Sequence, residues 1–308
     1  MSFLLPRLGQ AILAFLGTTL LVFLAVYALP GDPIQALAGD TSLGEAAERA
    51  LRDKYNLDKP VMVQYWLYLS GLLTGDFGTT VGGESVANIL SHAWPITVKL
   101  AATAWIFTLI IGVGLGAYSG LRPGGIVDRM VLGATVLSLA VPTFVLAFFM
   151  QQIFGITLGW FPVAGIRAGW PMAYLLPALC LAVLSFGPVA RLTRTSVLTT
   201  VTADFVRTAK AKGISRARLV VRHIMRNALV PVVTYLGLDL AGLLGGAVVV
   251  EGIFNLRGVG GNLFSAISQQ QGTIVVGIVS ALVLVVIVIN FLVEILHRLL
   301  DPRIVTNG

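Results

Sequence analysis

The run LAATAWIFTLIIGVGLGAYSGL, residues 100–121, sits between Lys99 and Arg122 and holds no charged side chain. A helix that crosses a bilayer needs about 20 mostly apolar residues, because the hydrocarbon is about 30 Å thick. This run is long enough, and the pattern repeats on both sides of it. Leu8–Leu29 is free of charge, and so is Met130–Ile166. The latter is too long for one crossing and is broken near its end by Gly155, Gly159, Pro162 and Gly165, which places a span near 131–154 and a loop after it. Trp170–Ala190, with Pro177 and Pro188 inside, gives a fourth span. Asn227–Val250 gives a fifth, interrupted only by Asp239, and Ile274–Val293 a sixth. The reading is an all-α polytopic membrane protein with six transmembrane helices.

Composition leads to the same place. Of 308 residues 56% are hydrophobic and 11% charged, with mean hydropathy +0.90. Soluble domains average about 25% charged residues, so a water-soluble globule is excluded, and disorder requires the opposite composition. The single cysteine, Cys180, excludes an intrachain disulfide and a cysteine-rich metal site. It lies in an apolar run and reads as a buried, inert thiol. Leu8–Leu29 exceeds the usual signal-peptide core of about 7–15 residues, and no small-x-small cleavage site follows, so a retained first helix is expected.

Charge placement sets the orientation. With a cytoplasmic N-terminus, that side receives Arg7, Arg122, Arg129, nine basic residues between Arg191 and Arg226, then Arg298 and Arg303. The opposite short loops receive only Arg167 and Arg257. Lys and Arg of short loops stay on the cytoplasmic side, so both termini are expected there. The expected organisation is residues 1–29 as N-terminus and first helix, 30–94 as an extracytoplasmic helical segment, and 95–308 as a five-helix core that includes a cytoplasmic loop at 191–226.

Within the outer segment, Ser42-Leu43-Gly44-Glu45 has capping-box spacing, in which a hydroxyl and a carboxylate satisfy opposite free amides. It predicts a helix from Leu43 to about Tyr55. Pro60 suits the first turn of a second helix, which carries Val61, Tyr65, Trp66, Tyr68, Leu69, Leu72 and Leu73 before Gly75 ends it. Such an aromatic, apolar helix belongs at a membrane interface. Its plain role is packing, and reception of a substrate-delivering partner is the sharper alternative.

The cytoplasmic loop reads as a helix–turn–helix. Thr202 is expected to cap a short helix, with Asp204 in the first turn and Arg207, Lys210 and Lys212 toward the end, as the helix dipole favours. Gly213 supplies the left-handed residue that ends it. Ser215 is expected to cap a second basic helix that runs through Arg226 into span five. Charge alone would suit anionic lipid, but a shaped basic knob suits a protein groove.

Enzymatic chemistry is not written in the chain. There is no G-x-x-x-x-G-K-[ST] and no Gly-Lys pair, so ATP is not held here by a P-loop. His92, His223 and His297 are too dispersed for a metal cluster, and no catalytic motif occurs. No catalytic residue, metal or cofactor is expected. Asp239 in mid-span is costly, about 2.5–3.5 kcal/mol on insertion scales, and such residues face a bundle interior or a wet path. Gly237, Gly242, Gly245 and Gly246 surround it, allowing close helix approach or an open wall along a channel. Glu251 is expected at the outer end of the same helix, where hydration is cheap.

These residues resemble a known family. The stretch Asp204-FVRTAKAK-Gly213 followed by RHIMRNALV-Pro231 is similar to the coupling loop of ABC importer permeases of the dipeptide/oligopeptide/nickel class. The general signature EAA-x3-G-x9-I-x-LP is altered here to Arg207-Thr208-Ala209 and His223-Ile224-Met225-Arg226, departures typical of that class. Leu29-Pro-Gly-Asp-Pro33, Gly75-Asp-Phe-Gly78 and Gly245-GAVVV-Glu251 match as well, while Arg257-Gly258 stands where Pro-Gly is usual. The immediate entry into span one and the long outer segment resemble the first, B-type, permease of such systems.

The resemblance implies the type I importer fold and a heterodimeric permease, this chain pairing with a homologous second one around a path for short peptides or related cargo. Two ABC ATPase domains, separate or fused, would carry ATP and Mg and receive the coupling residues Ala203, Asp204, Phe205, Arg207, Thr208, Ala209, Lys210, Lys212 and Gly213. An extracytoplasmic substrate-binding protein would deliver cargo. The path would include Asp239, Gly242, Gly245 and Gly246, in the inner membrane of a prokaryote. The competing reading is an ion-coupled secondary transporter built on Asp239.

Overall fold

The computed structural model describes residues 4–27, 44–54, 56–80 and 82–300. The elements are α1 (Leu4–Tyr27), α2 (Glu45–Lys54), α3 (Val61–Leu73), α4 (Val86–Leu121), α5 (Ile126–Ala140), α6 (Thr143–Thr157), α7 (Met172–Val201), α8 (Asp204–Ala211), α9 (Arg226–Ile253), α10 (Val259–Ser268) and α11 (Gly272–Leu300). Short π-helical stretches lie in α4 at Thr108–Val113, in α6 at Gln151–Thr157, and before α9 at Leu219–Met225.

Among the described residues five helices are long and apolar enough to span a bilayer, and the pair α5 and α6 makes a sixth crossing only if counted together. The third span, expected as one helix near 131–154, is therefore corrected: it is two helices, α5 and α6, bent by 108° at the break between them. The cause is Pro142. Its ring pushes the preceding residue out of helical geometry, and Val141 sits at φ −92°, ψ 121°. Pro95, Pro177, Pro188 and Pro231, by contrast, are carried inside helices.

The chain divides into two compact units. The first comprises the described residues of 1–97 and 257–288. Here α3 starts after Pro60 and ends at Gly75, whose φ of +81° lets the Gly75 amide donate to Leu72 and the Asp76 amide to Gly71. Tyr65 and Leu69 bury against Phe23 of α1 and Val276 of α11. The Tyr65 hydroxyl donates to the Leu16 carbonyl at 3.0 Å and that of Tyr68 to Ser280 at 2.8 Å. Burial pushes the Tyr68 phenol well above its usual range, so it stays a neutral donor. Trp66, Met62 and Leu73 are exposed.

The Gly75-Asp-Phe-Gly78 motif has a structural job in this unit. Asp76 Oδ1 accepts the Gly78 amide at 2.9 Å, and the Gly78 carbonyl accepts that of Val86 at 2.9 Å. The turn lies so close to α11 that a Cβ on Gly277 would collide with the Phe77 carbonyl. Ser42 and Leu43 of the expected capping box, and the motif Leu29 to Pro33, lie outside the described residues. The helix predicted from Leu43 is described from Glu45 to Lys54.

The second unit comprises the described residues of 98–256 and 289–300. Helix α7 is its centre and packs on α4, α5, α6 and α9. Residues 191–201, read from sequence as loop, continue α7 as helix. Glu251 stands in the last turn of α9, as expected, but it is 0% exposed rather than hydrated.

Candidate functional site

Helix α8, eight residues long, is two-sided, with Val206 and Ala209 three residues apart and polar residues between them. Spacing of i, i+3 puts two side chains on one face. Val206 is 0% and Ala209 6% exposed, packed with Ala117 of α4, Val197 of α7, Leu219 and Ile224 before α9, and Ala228. Burying a valine side chain contributes about 1.5–3 kcal/mol, enough to fix so short a helix on the ends of three long ones.

Its boundaries differ in one respect from expectation. Ala203, extended at φ −66°, ψ 148°, occupies the N-cap position, not Thr202. The Thr202 hydroxyl instead donates back to the Thr199 carbonyl at 2.9 Å and closes α7. Ser215 does stand at the N-cap of the next helical turn, but its side chain makes no capping bond. The other end is as expected. Gly213 has φ +74°, its amide donates to Lys210, and the Ile214 amide donates to Ala209. That pairing satisfies the last carbonyls and brings Ile214 into the same apolar cluster as Ala209.

The opposite face is open. Asp204, Phe205, Arg207, Thr208, Lys210, Lys212 and Gly213 are exposed, Phe205 by 44% despite its aromatic ring. Asp204 and Arg207 are 3.7 Å apart on the surface, a pairing that contributes little in water. Of the sequence-selected residues, Ala209 alone is buried, so it anchors the helix. Val206, its companion, was missed, although the i, i+3 apolar spacing within a polar stretch signals it.

A buried ion pair braces the helices beneath. Arg194 of α7 donates through Nε to Asp128 Oδ1 at 2.6 Å and through Nη2 to Oδ2 at 2.9 Å. Asp128 opens α5 and also accepts the Ser119 hydroxyl of α4 and, at 2.8 Å, the Gly124 amide. Four donors on a carboxylate 3% exposed make a filled site. On the contacting face of α4, Gly112, Gly116 and Gly120 meet α7. A Cβ on Gly116 would stand 2.5 Å from the Ala190 carbonyl oxygen, and one on Gly120 2.8 Å from that of Arg194. Neither the pair nor this stripe was read from the sequence, though G-x-x-x-G-x-x-x-G is a packing signal.

Asp239 lies midway along α9. The Ser185 hydroxyl of α7 donates to its Oδ1 at 2.8 Å. Together with Leu181, Leu184, Pro188, Tyr235, Gly242 and Leu243 these two line an open pocket of about 190 Å³. Gly242 and Gly245 face open space, whereas Gly237 is pressed against Val293. Gly246 lies in the same helix.

Comparison with known proteins converges on one family. Residues 112–306 match the family described as binding-protein-dependent transport system inner membrane component, and residues 1–101 match its N-terminal membrane component. The chain is 37% identical over 262 residues to the dipeptide transport system permease protein DppB of Bacillus subtilis (strain 168), covering 84% of each chain. It is 34% identical to the oligopeptide transport system permease protein OppB of Haemophilus influenzae, over 82% of this chain and 83% of that one. Among solved structures, the MetNI methionine ABC transporter in an inward-facing conformation aligns with TM-score 0.55 at 18% identity, over 69% of this chain and 96% of that one. An amino acid ABC transporter with histidines aligns with TM-score 0.54 at 15% identity, over 68% and 94%. At those identities the likeness establishes the importer permease fold.

Proposed function

The chain belongs to the binding-protein-dependent transport system inner membrane components, a permease subunit of an ABC importer and not an enzyme, and on that premise we propose how it works and for what cargo. It pairs with a second, homologous permease, and the two form a path for short peptides across the inner membrane of a prokaryote. Two ABC ATPase domains, carrying ATP and Mg, dock on α8, and an extracytoplasmic binding protein supplies cargo. The names of the relatives support the cargo class. The excess of Lys and Arg at residues 191–226 supports cytoplasmic termini, with residues 30–94 outside and 95–308 forming the core.

The observation that carries the reading is the two-sided character of α8. Val206 and Ala209 fix it to α4, α7 and the lead-in to α9, while Asp204, Phe205, Arg207, Thr208 and Lys210 project away. A partner that grips the outer face moves the long helices as levers, because the inner face leaves no slack. Ala203, Lys212 and Gly213 set where the lever starts and stops. Rigid-body motion of this kind turns a local nucleotide event into alternating access. Asp239, Gly242, Gly245 and Gly246 lie along the path. Ion-coupled secondary transport through Asp239 is not favoured, since the relatives are ABC permeases.

The test is uptake of radiolabelled trialanine into proteoliposomes holding the complete complex, with binding protein outside and ATP within. Phe205→Ala should leave the complex assembled but uncouple ATP hydrolysis from uptake, lowering transported peptide per ATP by about tenfold. Full coupling in Phe205→Ala and Arg207→Ala alike would overturn the assignment of α8.

A further inference from the structure

The pocket at Asp239 has a composition that restricts what can occupy it. Its walls are Leu181, Leu184, Pro188 and Leu243, and its polar groups are Ser185, Tyr235 and the Asp239 carboxylate. Oδ1 is satisfied by Ser185. Oδ2 is shielded from solvent and has no hydrogen-bond partner among the described residues. No lysine, arginine or histidine lines the pocket. A carboxylate in apolar surroundings is relieved either by taking up a proton or by a cation brought to it with good hydrogen-bond geometry.

The pocket's chemistry separates the possible cations. Calcium takes six to eight oxygen ligands and magnesium near-octahedral oxygen coordination, whereas one carboxylate, one serine hydroxyl and one tyrosine hydroxyl fall short. A proton relay calls for a second ionisable group of matching character, and the lining offers only the Tyr235 phenol. An ammonium group bonded to a small apolar body fits both features, its N–H donors on the carboxylate and its carbon atoms against the leucines. Gly242 widens the opening at this level, because nothing lies within 4 Å of where its Cβ would be.

We infer that the Asp239 pocket is a subsite for the α-ammonium group of a passing peptide, with Asp239 as the charge-bearing contact and Ser185 holding its carboxylate in place. This rests on the peptide-importer reading. It makes the path itself selective for a free amino terminus, in addition to any choice made by the binding protein.

The test compares ATP-driven uptake of trialanine and N-acetyl-trialanine by the complete complex in proteoliposomes, each at a concentration that saturates the wild-type rate. For Asp239→Asn, the ratio of free-amine to acetylated uptake should fall about tenfold, the value of one charge-assisted hydrogen bond. Asp239→Glu, which keeps the charge, should restore most of that ratio. An unchanged ratio in Asp239→Asn, with both cargos still carried, overturns the inference, and so does loss of both cargos by an Asp239→Asn complex that still assembles and hydrolyses ATP. A wild-type complex that takes up neither peptide under ATP overturns the peptide reading itself, and the subsite with it.

Discussion

Arg194 and Asp128 lock α7 to the first turn of α5 through two hydrogen bonds of 2.6 and 2.9 Å, and Ser119 ties α4 to the same carboxylate. Three helices are therefore fastened at one carboxylate, and two of them, α4 and α7, also supply Ala117 and Val197 to the cluster that holds α8. A buried pair need not add net stability, but removing one partner leaves the other unsatisfied.

Asp128→Ala should destabilise the purified complex by about 1–3 kcal/mol, the range for stranding a buried polar group. Arg194→Ala should do the same, and the double variant should lose less than the sum of the two. Thermal unfolding in detergent, followed by tryptophan fluorescence, measures this. Strict additivity would mean the pair is not coupled.

Two glycines on α4 should behave in opposite ways. At Gly116 a Cβ meets the Ala190 carbonyl oxygen at 2.5 Å, while at Gly114 nothing lies within 4 Å. Gly116→Ala should cost about 1–3 kcal/mol through overpacking. Gly114→Ala should be neutral or stabilising by up to about 1 kcal/mol, the helix propensity gained. The ratio of folded to aggregated protein on size exclusion, at matched expression, separates the two.

Gly213 tests the left-handed end of α8. Asn visits φ near +74° far more readily than a branched residue does. Gly213→Asn should keep uptake within about twofold of wild type, and Gly213→Val should lose most of it while still inserting in the membrane, a strain of about 1–2 kcal/mol at one residue. Equal uptake by both would show that the turn is not needed in this conformation.

Anchor and contact residues of α8 should fail differently. Val206→Asp buries a charge in the cluster with Val197 and Leu219 and should reduce assembled complex. Phe205→Asp changes an exposed position and should leave assembly of the two permeases intact while weakening ATPase retention. Native mass spectrometry of the purified complexes distinguishes the two losses.

Most of this architecture is legible in the residues because the bilayer constrains them so strongly. Uncharged runs of about 20 residues leave little choice but helices, and Gly213 between two basic segments announces the turn. What escaped the sequence is contact between distant segments. Asp128 sits 66 positions before Arg194, so neither residue signals the other, and Glu251 reads as a hydrated end until the surrounding helices bury it. The break at Val141-Pro142 was a local signal present in the sequence. A proline alone does not mark a break, since Pro is carried inside α7 and α9. Thr202 lost its cap role for a subtler reason: its hydroxyl found the α7 carbonyl of Thr199 first.

The most direct test of the central claim is mass spectrometry of what co-purifies with the tagged chain in mild detergent from its native host. The account predicts a second six-span permease and an ATPase bearing the P-loop that this chain lacks. A chain that purifies alone, and that moves cargo into liposomes without ATP, would contradict it.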